Sequence, residues 1–162
     1  MEIEVVRLDE FEGKCGYVYS VSLDGDDTLY DDFLKRYSTL YPDEIKDILT
    51  RLKQMSLYTG FVDTFFKMNE GSPGDGVCAL FDKRKILRLY CIRYGNIALI
   101  VGCGGPKNTR TYQDDPYLND KVEIIKKVSS VITKSIKEKL INLNINGEFS
   151  GQLIIDEDEA EK

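Results

Sequence analysis

Three short apolar segments in the middle of the chain constrain the fold most. They have the length and composition of strands, and they read "VCALF" at 77–81, "ILRLYCIRY" at 86–94 and "IALIVGC" at 97–103. Gly95 and Asn96 separate the last two segments, and two residues are the usual length of a tight hairpin turn. We therefore predict a three-stranded meander that ends where Gly104, Gly105 and Pro106 interrupt the third strand.

The segments that flank the meander predict three helices and two earlier strands. "EIEVVRL" and "GYVYSVSL" near the start are rich in β-forming residues. "DDTLYDDFLKRY" and "PDEIKDILTRLKQM" have apolar residues three and four positions apart, so they predict a helical hairpin. A third helix is predicted from about Leu118 to Ile141, because apolar residues recur there with the same spacing.

The order of these elements predicts an α+β fold in which helices pack on an antiparallel sheet. We expect residues 1–147 to form one domain. Residues 148–162 are expected to form an acidic, partly disordered C-terminal extension with a short edge strand at 152–155.

Composition removes several classes of function. The chain has no histidine, so acid–base chemistry would fall to Lys, Tyr, Asp or Glu. Its four cysteines show no CxxC pairing and are expected to be buried or half-buried thiols, and we expect neither a metal nor a cofactor. No apolar run approaches the roughly 20 residues of a membrane helix, and the acidic start lacks the features of a secretory signal. A cytoplasmic protein without a membrane partner is expected.

Charge is distributed unevenly along the chain. The formal net charge is -6, yet residues 83–112 contain several basic residues and no acidic one. The basic residues of this segment are Lys83, Arg84, Lys85, Arg88, Arg93, Lys107 and Arg110. A basic segment in an acidic chain favours an anionic partner.

Strand alternation gives the centre of this segment a specific surface. It places Arg88 and Tyr90 on one face of the strand and Arg93 on the other. Arg88 and Tyr90 would then form a cationic and aromatic surface able to hold phosphate and stack a base. Two other roles stay open for Arg88, which could face solvent on an open sheet or pair with an acid from the N-terminal half.

Two flanking motifs also have two interpretations each. "DKRK" at 82–85 lies at a hairpin tip, where Lys83 and Lys85 are either solvated or in contact with backbone phosphates. "GCGGPKNTR" lacks the residue order of a nucleotide-binding P-loop. Its glycines are more simply expected to end the strand and to project Lys107 and Arg110 beside it.

Residues from about 15 to 140 resemble the RelE/ParE superfamily of bacterial toxins, most closely its HigB-like, phage-derived branch. One part of the resemblance is "FFKMNEG" at 65–71, which is similar to a Lys-x-x-Glu-Gly motif before the first meander strand. The other part is "ILRLYCIRYGNIALIVGCGGPKN", which is similar to an Arg-x-x-Tyr strand followed by a turn, an apolar strand and a basic loop. The resemblance implies a RelE-like α+β fold.

The resemblance also implies a metal-independent endoribonuclease that cuts mRNA, commonly on the ribosome, and that a cognate antitoxin holds inactive. A ribose 2′-hydroxyl would attack the adjacent phosphate, which requires a proton acceptor and cations that stabilise the added charge. The catalytic candidates are Arg88, Lys107, Arg110 and Tyr112. The RNA-binding candidates are Lys83, Lys85, Tyr90 and Arg93.

Departures from the family pattern support a second hypothesis. Leu80 and Phe81 stand where the family usually has a Leu-Arg pair, so one expected cation is absent. Asp114 and Asp115 would add negative charge near an RNA path. The alternative is a non-catalytic protein on the same scaffold that binds a protein partner through its basic sheet face.

Overall fold

The computed structural model describes residues 1–11, 13–107 and 116–157. These residues form a mixed α+β structure of helices and strands. The strands are β1 (Glu2–Arg7), β2 (Tyr17–Leu23), β3 (Val77–Phe81), β4 (Leu87–Tyr94), β5 (Ala98–Pro106), β6 (Ile141–Leu143), β7 (Phe149–Gly151) and β8 (Ile154–Asp156). The α-helices are α1 (Leu29–Tyr37), α2 (Pro42–Gln54) and α3 (Pro116–Lys137), and α2 continues as a π-helical turn, Met55–Thr59.

Six strands form one sheet in the order β3-β4-β5-β2-β1-β8, and β6 pairs with β7 separately. The meander of β3, β4 and β5 is antiparallel, which confirms that part of the prediction. β2 and β5 run parallel, so the expectation of a purely antiparallel sheet is wrong at this pair. The connection between them includes α1, α2 and two strands, and a connection of that length allows the parallel arrangement.

Helices cover both faces of the sheet, and each face therefore carries part of the core. On one face, side chains of α1 and α2 pack against the strands; this cluster includes Phe33, Ile48, Leu80, Leu89 and Leu99. On the other face, side chains of α3 pack against the strands; this cluster includes Val122, Ile125, Tyr90, Ile92 and Ile100. Within the described residues, no helix is both long and apolar enough to span a membrane.

Local signals in the sequence account for the helix boundaries. The Thr28 side chain caps α1 by accepting a hydrogen bond from the Asp31 N–H at 3.1 Å. Pro42 occupies the first turn of α2, where its missing N–H has no helical partner to lose. In α3 the apolar stripe is buried as predicted, but the helix ends at Lys137, four residues earlier than expected. Lys139 has a φ of +64°, a left-handed conformation that often terminates helices.

The prediction that Gly104 and Gly105 end the third meander strand is wrong. β5 continues through both residues to Pro106, and they pair with Leu89 and Arg88 of β4. A Cβ atom on Gly104 would lie 1.8 Å from the Arg88 carbonyl oxygen, so a larger residue does not fit there. Gly104 allows close approach of the two strands, whereas a Cβ atom on Gly105 would lie 3.0 Å from the Tyr37 hydroxyl and from the Tyr117 ring. The sequence does not distinguish these roles from strand termination.

The last described residues lie at the edge of the sheet opposite β3. β8 pairs with β1, in agreement with the edge strand expected near 152–155. The buried Glu157 carboxylate lies 2.6 Å from the Lys127 Nζ and 3.9 Å from the N-terminal amine. The acidic residues at 158–162 lie outside the described part of the chain.

Candidate functional site

A buried carboxylate, Asp82, shapes the hairpin tip between β3 and β4. Its Oδ1 accepts hydrogen bonds from the backbone N–H groups of Ile86 and Leu87 at 2.9 and 2.7 Å. Its Oδ2 accepts from the Arg84 N–H at 3.0 Å. This use of an aspartate to satisfy turn amides leaves three basic side chains exposed on the tip. They belong to Lys83, Arg84 and Lys85.

Helix α2 is joined to this tip through Asp47. The Asp47 Oδ2 accepts a hydrogen bond from the Lys83 backbone N–H. It also accepts one from the Arg51 Nε at 3.3 Å. Arg51 is therefore held beside the hairpin tip, although 31 positions in the sequence separate it from Asp82.

The segment before β3 adds a lysine and a buried acid at the outer edge of the sheet. The backbone of Lys67 pairs with Ala79 through two hydrogen bonds of 2.9 Å. Three residues later, Glu70 is 2 % exposed. The Lys67 Nζ lies 3.3 Å from the Glu70 Oε1, at ion-pair distance but not aligned for a hydrogen bond.

The β3–β4 tip, α2, the segment before β3 and the end of β5 line a solvent-open cavity of about 460 Å³, which we name the basic pocket. Its cationic lining residues are Arg51, Lys67, Lys83, Lys85 and Lys107, and its aromatic ones are Phe65, Phe66 and Phe81. Among the described residues, Asp82 is the one acid in the lining, and its oxygens are already bonded to the turn amides. A cavity with this excess of positive charge attracts anions.

Arg88 lies behind Phe81, a lining residue of the basic pocket, and has no exposed surface. Its guanidinium carbon is 4.9 Å from the centre of the Phe81 ring. The Arg88 Nη1 donates a hydrogen bond of 3.1 Å to the Tyr90 hydroxyl. Its Nε and Nη2 have no acceptor among the residues that the structure describes.

A buried guanidinium with unused donors is energetically unfavourable. Each buried donor without a partner costs about 1–3 kcal/mol, and more when the group is charged. Proteins normally bury arginine only when an acid or several acceptors surround it. The Nε and Nη2 atoms of Arg88, which have no acceptor among the described residues, therefore mark a position where an anion would be stabilised.

Lys107 places a second cation against the same aromatic ring. Its backbone N–H donates to the Ile86 carbonyl at 2.9 Å, and its Nζ lies 5.9 Å from the centre of the Phe81 ring. Partial burial lowers the pKa of Lys107 below the usual 10.5, and the positive charges of Arg88 and Lys67 lower it further. A larger fraction of Lys107 is therefore neutral, and able to accept a proton, than for a fully solvated lysine.

The structure brings together four of the eight residues named from the sequence. Lys83, Lys85 and Lys107 line the basic pocket, and Arg88 lies behind its Phe81 ring. Arg110 and Tyr112 lie outside the described residues.

Tyr90 and Arg93 have other environments. The expectation that Tyr90 lies on an open, base-stacking surface is wrong, because α3 covers that face of the sheet and Tyr90 has no exposed surface. Arg93 lies at the other end of β4, on the opposite face. It donates to the Phe61 carbonyl and the Asn96 Oδ1, each at 2.6 Å, and so stabilises the β4–β5 turn.

Sequence reasoning missed the contributions of Arg51 and Phe65 to the pocket. Arg51 lies in a helix whose apolar stripe dominates the local pattern, and it reaches the pocket only through tertiary packing. Lys67 and Glu70 were weakly indicated by the sequence, because they are the charged residues of the "FFKMNEG" motif that is similar to the family's Lys-x-x-Glu-Gly pattern.

The four cysteines are free thiols, and Cys78 and Cys91 lie opposite each other on β3 and β4. Burial raises the pKa of Cys78 and of Cys103 to about 12, so these thiols stay protonated near neutral pH. Within the described ranges, no group of three or more Cys, Asp or Glu side chains is arranged to hold a metal ion.

Comparison with known proteins gives no relative for this chain: no family model, no curated protein and no solved structure matches it.

Proposed function

We propose that the basic pocket binds the phosphate backbone of RNA and that the protein is an mRNA endoribonuclease of the toxin type, with a RelE-like fold. The observation that carries the proposal is Arg88, a buried guanidinium beside a cationic pocket, whose Nε and Nη2 have no acceptor among the described residues. The resemblance of residues 15–140 to the RelE/ParE superfamily is the second support. On this proposal the natural partners are mRNA, on the ribosome as in the family, and a cognate antitoxin.

The pocket contains the groups that cleavage by a ribose 2′-hydroxyl requires. Lys107, with its lowered pKa, accepts the proton of the 2′-hydroxyl. The 2′-oxygen then bonds to phosphorus and the bond from phosphorus to the 5′-oxygen breaks, leaving a cyclic phosphate and a 5′-hydroxyl. The leaving 5′-oxygen takes a proton from a protonated lysine of the pocket. No metal ion or cofactor takes part in this scheme.

Arg88 is the charge-stabilising group in this mechanism. The phosphate gains negative charge as the 2′-oxygen attacks, and a fixed guanidinium in a site of low polarity stabilises that charge strongly. Because Arg88 has no exposed surface, a neighbouring side chain must move before phosphate contacts it. Phe81 both covers the guanidinium and lines the pocket, so its rotation gives access. Arg110 and Tyr112 remain catalytic candidates that the described residues do not include.

The second candidate function is a non-catalytic protein that binds an acidic protein partner through the same pocket. The observation that favours it is the complete burial of Arg88 behind Phe81. Phe81 itself stands where the family usually has a second, strand-end arginine. In that case the exposed lysines would bind the partner and Arg88 would not contact it.

RNA end mapping after induced expression separates the two functions. We expect the wild-type chain to produce new 5′-hydroxyl ends in mRNA, and Arg88→Met or Lys107→Ala to reduce them by about 100-fold or more. Lys14→Ala is the matched control, because Lys14 is exposed and lies outside the lining of the pocket. Growth arrest with intact RNA would contradict the endoribonuclease and support the binding protein. A neighbouring gene for a small DNA-binding antitoxin would support a toxin of either kind.

A further inference from the structure

A second cavity lies next to the basic pocket, between α2, its π-helical continuation and β3. Its volume is about 270 Å³, and we name it the apolar pocket. Met55 and Leu80, both buried, form its apolar base. Thr50 and Gln54 place a hydroxyl and a carboxamide on its lining.

The two pockets are adjacent, because they share three lining residues, Arg51, Phe65 and Lys83. Asp47 also lines the apolar pocket and pairs with Arg51 at 3.3 Å, so Lys83 supplies the net positive charge on the side that faces the basic pocket. Phe65 is 42 % exposed, although most large apolar residues of the described chain are buried. An exposed aromatic ring between an apolar cavity and a cationic one is suited to a ligand with a flat apolar part and an anionic part.

We propose that the apolar pocket binds one base of the RNA strand whose phosphate lies in the basic pocket. This inference rests on the proposed function. The base stacks on Phe65 above Met55 and Leu80, and Thr50 and Gln54 form hydrogen bonds with its edge. RNA-binding proteins read single-stranded bases in this way, by stacking on aromatic rings and hydrogen bonding to base edges.

Charge and size favour a nucleotide over an apolar peptide as the occupant. With Arg51 paired to Asp47, the wall keeps the positive charge of Lys83 and adjoins the cations of the basic pocket, which suits a phosphate attached directly to the bound group. A peptide helix needs a groove long enough for several apolar side chains at successive helical turns, and a cavity of about 270 Å³ with a charged wall does not offer one.

Methyl NMR of the methionines measures binding at this pocket directly. The chain has three methionines, Met1, Met55 and Met68, and of these Met55 lines the apolar pocket. The ¹³C-methyl-labelled protein is titrated with ribose 5-phosphate and with each of the four ribonucleoside 5′-monophosphates. We expect at least one nucleotide to bind roughly tenfold more tightly than ribose 5-phosphate and to shift the Met55 methyl signal while Met1 stays unchanged.

Three variants make the test specific. Phe65→Ala is expected to reduce the nucleotide affinity to that of ribose 5-phosphate without changing the latter. Tyr58→Ala is the matched control, because Tyr58 is an exposed aromatic residue outside the lining of both pockets and should leave binding unchanged. Lys107→Ala is expected to weaken both kinds of ligand.

The outcomes distinguish this inference from the function on which it rests. If ribose 5-phosphate binds as tightly as every nucleotide, the base site is wrong and the phosphate site stands. If neither ligand binds, the RNA-binding proposal fails and the base site fails with it. A Met55 shift caused by an acidic amphipathic peptide, but by no nucleotide, would also overturn the base site.

Discussion

Two arginines of strand β4 have opposite environments. Arg93, near one end of the strand, donates to the Phe61 carbonyl and the Asn96 side chain, so its charge is stabilised within the protein. Arg88, near the other end, is fully buried and leaves two donors without an acceptor among the described residues. We therefore expect Arg93 to stabilise the fold and Arg88 to destabilise it. Residues that lower stability are frequent at binding and catalytic sites, where the unsatisfied group is completed by a ligand.

A comparison of unfolding free energies tests this difference between the two arginines most strongly. Arg93→Met should lower the stability by about 2 kcal/mol, because it leaves the Phe61 carbonyl without its charged donor. Arg88→Met should raise the stability by about 1 kcal/mol or more, because it replaces a buried unpaired charge by an apolar side chain of similar length. Urea unfolding of the two variants measures both values. Destabilisation by Arg88→Met as large as that by Arg93→Met would mean that Arg88 is a structural residue.

The sequence predicted the elements better than it predicted the surfaces between them. The stripe of Val122, Ile125 and Ile132 identified α3, since an apolar repeat of that spacing forms one buried helical face. It did not indicate which face of the sheet α3 covers. For that reason Tyr90, on an alternating strand, was expected on an open surface and is instead in the core.

The candidate site was predictable only where its residues are close in the sequence. The tip lysines and Lys107 belong to one basic segment, and the structure places them in one pocket. Arg51 and Phe65 come from α2 and from the segment after it, and local patterns do not indicate where such distant residues meet. The burial of Arg88 was also not predictable, because side-chain packing around it, including the Phe81 and Tyr90 rings, is not evident from local sequence patterns.

The salt dependence of RNA binding tests the role of the exposed lysines, with a smaller expected effect. Each lysine that neutralises a phosphate should contribute about 0.7 to the slope of log K against log salt concentration for a single strand. Lys83→Ala and Lys85→Ala should each reduce the slope by about that amount, and the double variant by about twice as much. Fluorescence anisotropy of a labelled RNA at several salt concentrations gives the slopes. Lys14→Ala should leave the slope unchanged, and an equal reduction in that variant would show that the binding is not confined to the pocket.

The titration of Lys107 gives the smallest effect and the most local one. Its pKa should lie below 10.5, and Arg88→Met should raise it, because a neighbouring positive charge is removed. Between the lowered pKa and the usual one, the folded protein binds fewer protons at Lys107 than the unfolded chain does. The contribution of this residue to stability therefore rises with pH across that window. NMR titration of the lysine Nζ groups measures the pKa. An identical Lys107 pKa in the wild-type chain and in Arg88→Met would show that the Arg88 charge does not act on Lys107.

The NMR signals of the arginine Nε–H groups test the central claim most directly. Arg88 and Arg93 are assigned by the loss of one signal in each methionine variant, and the protein is titrated with a 2′-deoxy oligonucleotide, which cannot be cleaved by 2′-hydroxyl attack. We predict that the Arg88 Nε–H signal shifts strongly on binding, since its unused donor gains a phosphate oxygen, and that the Arg93 signal stays in place. Tight binding of the oligonucleotide with no change at Arg88 would contradict the account.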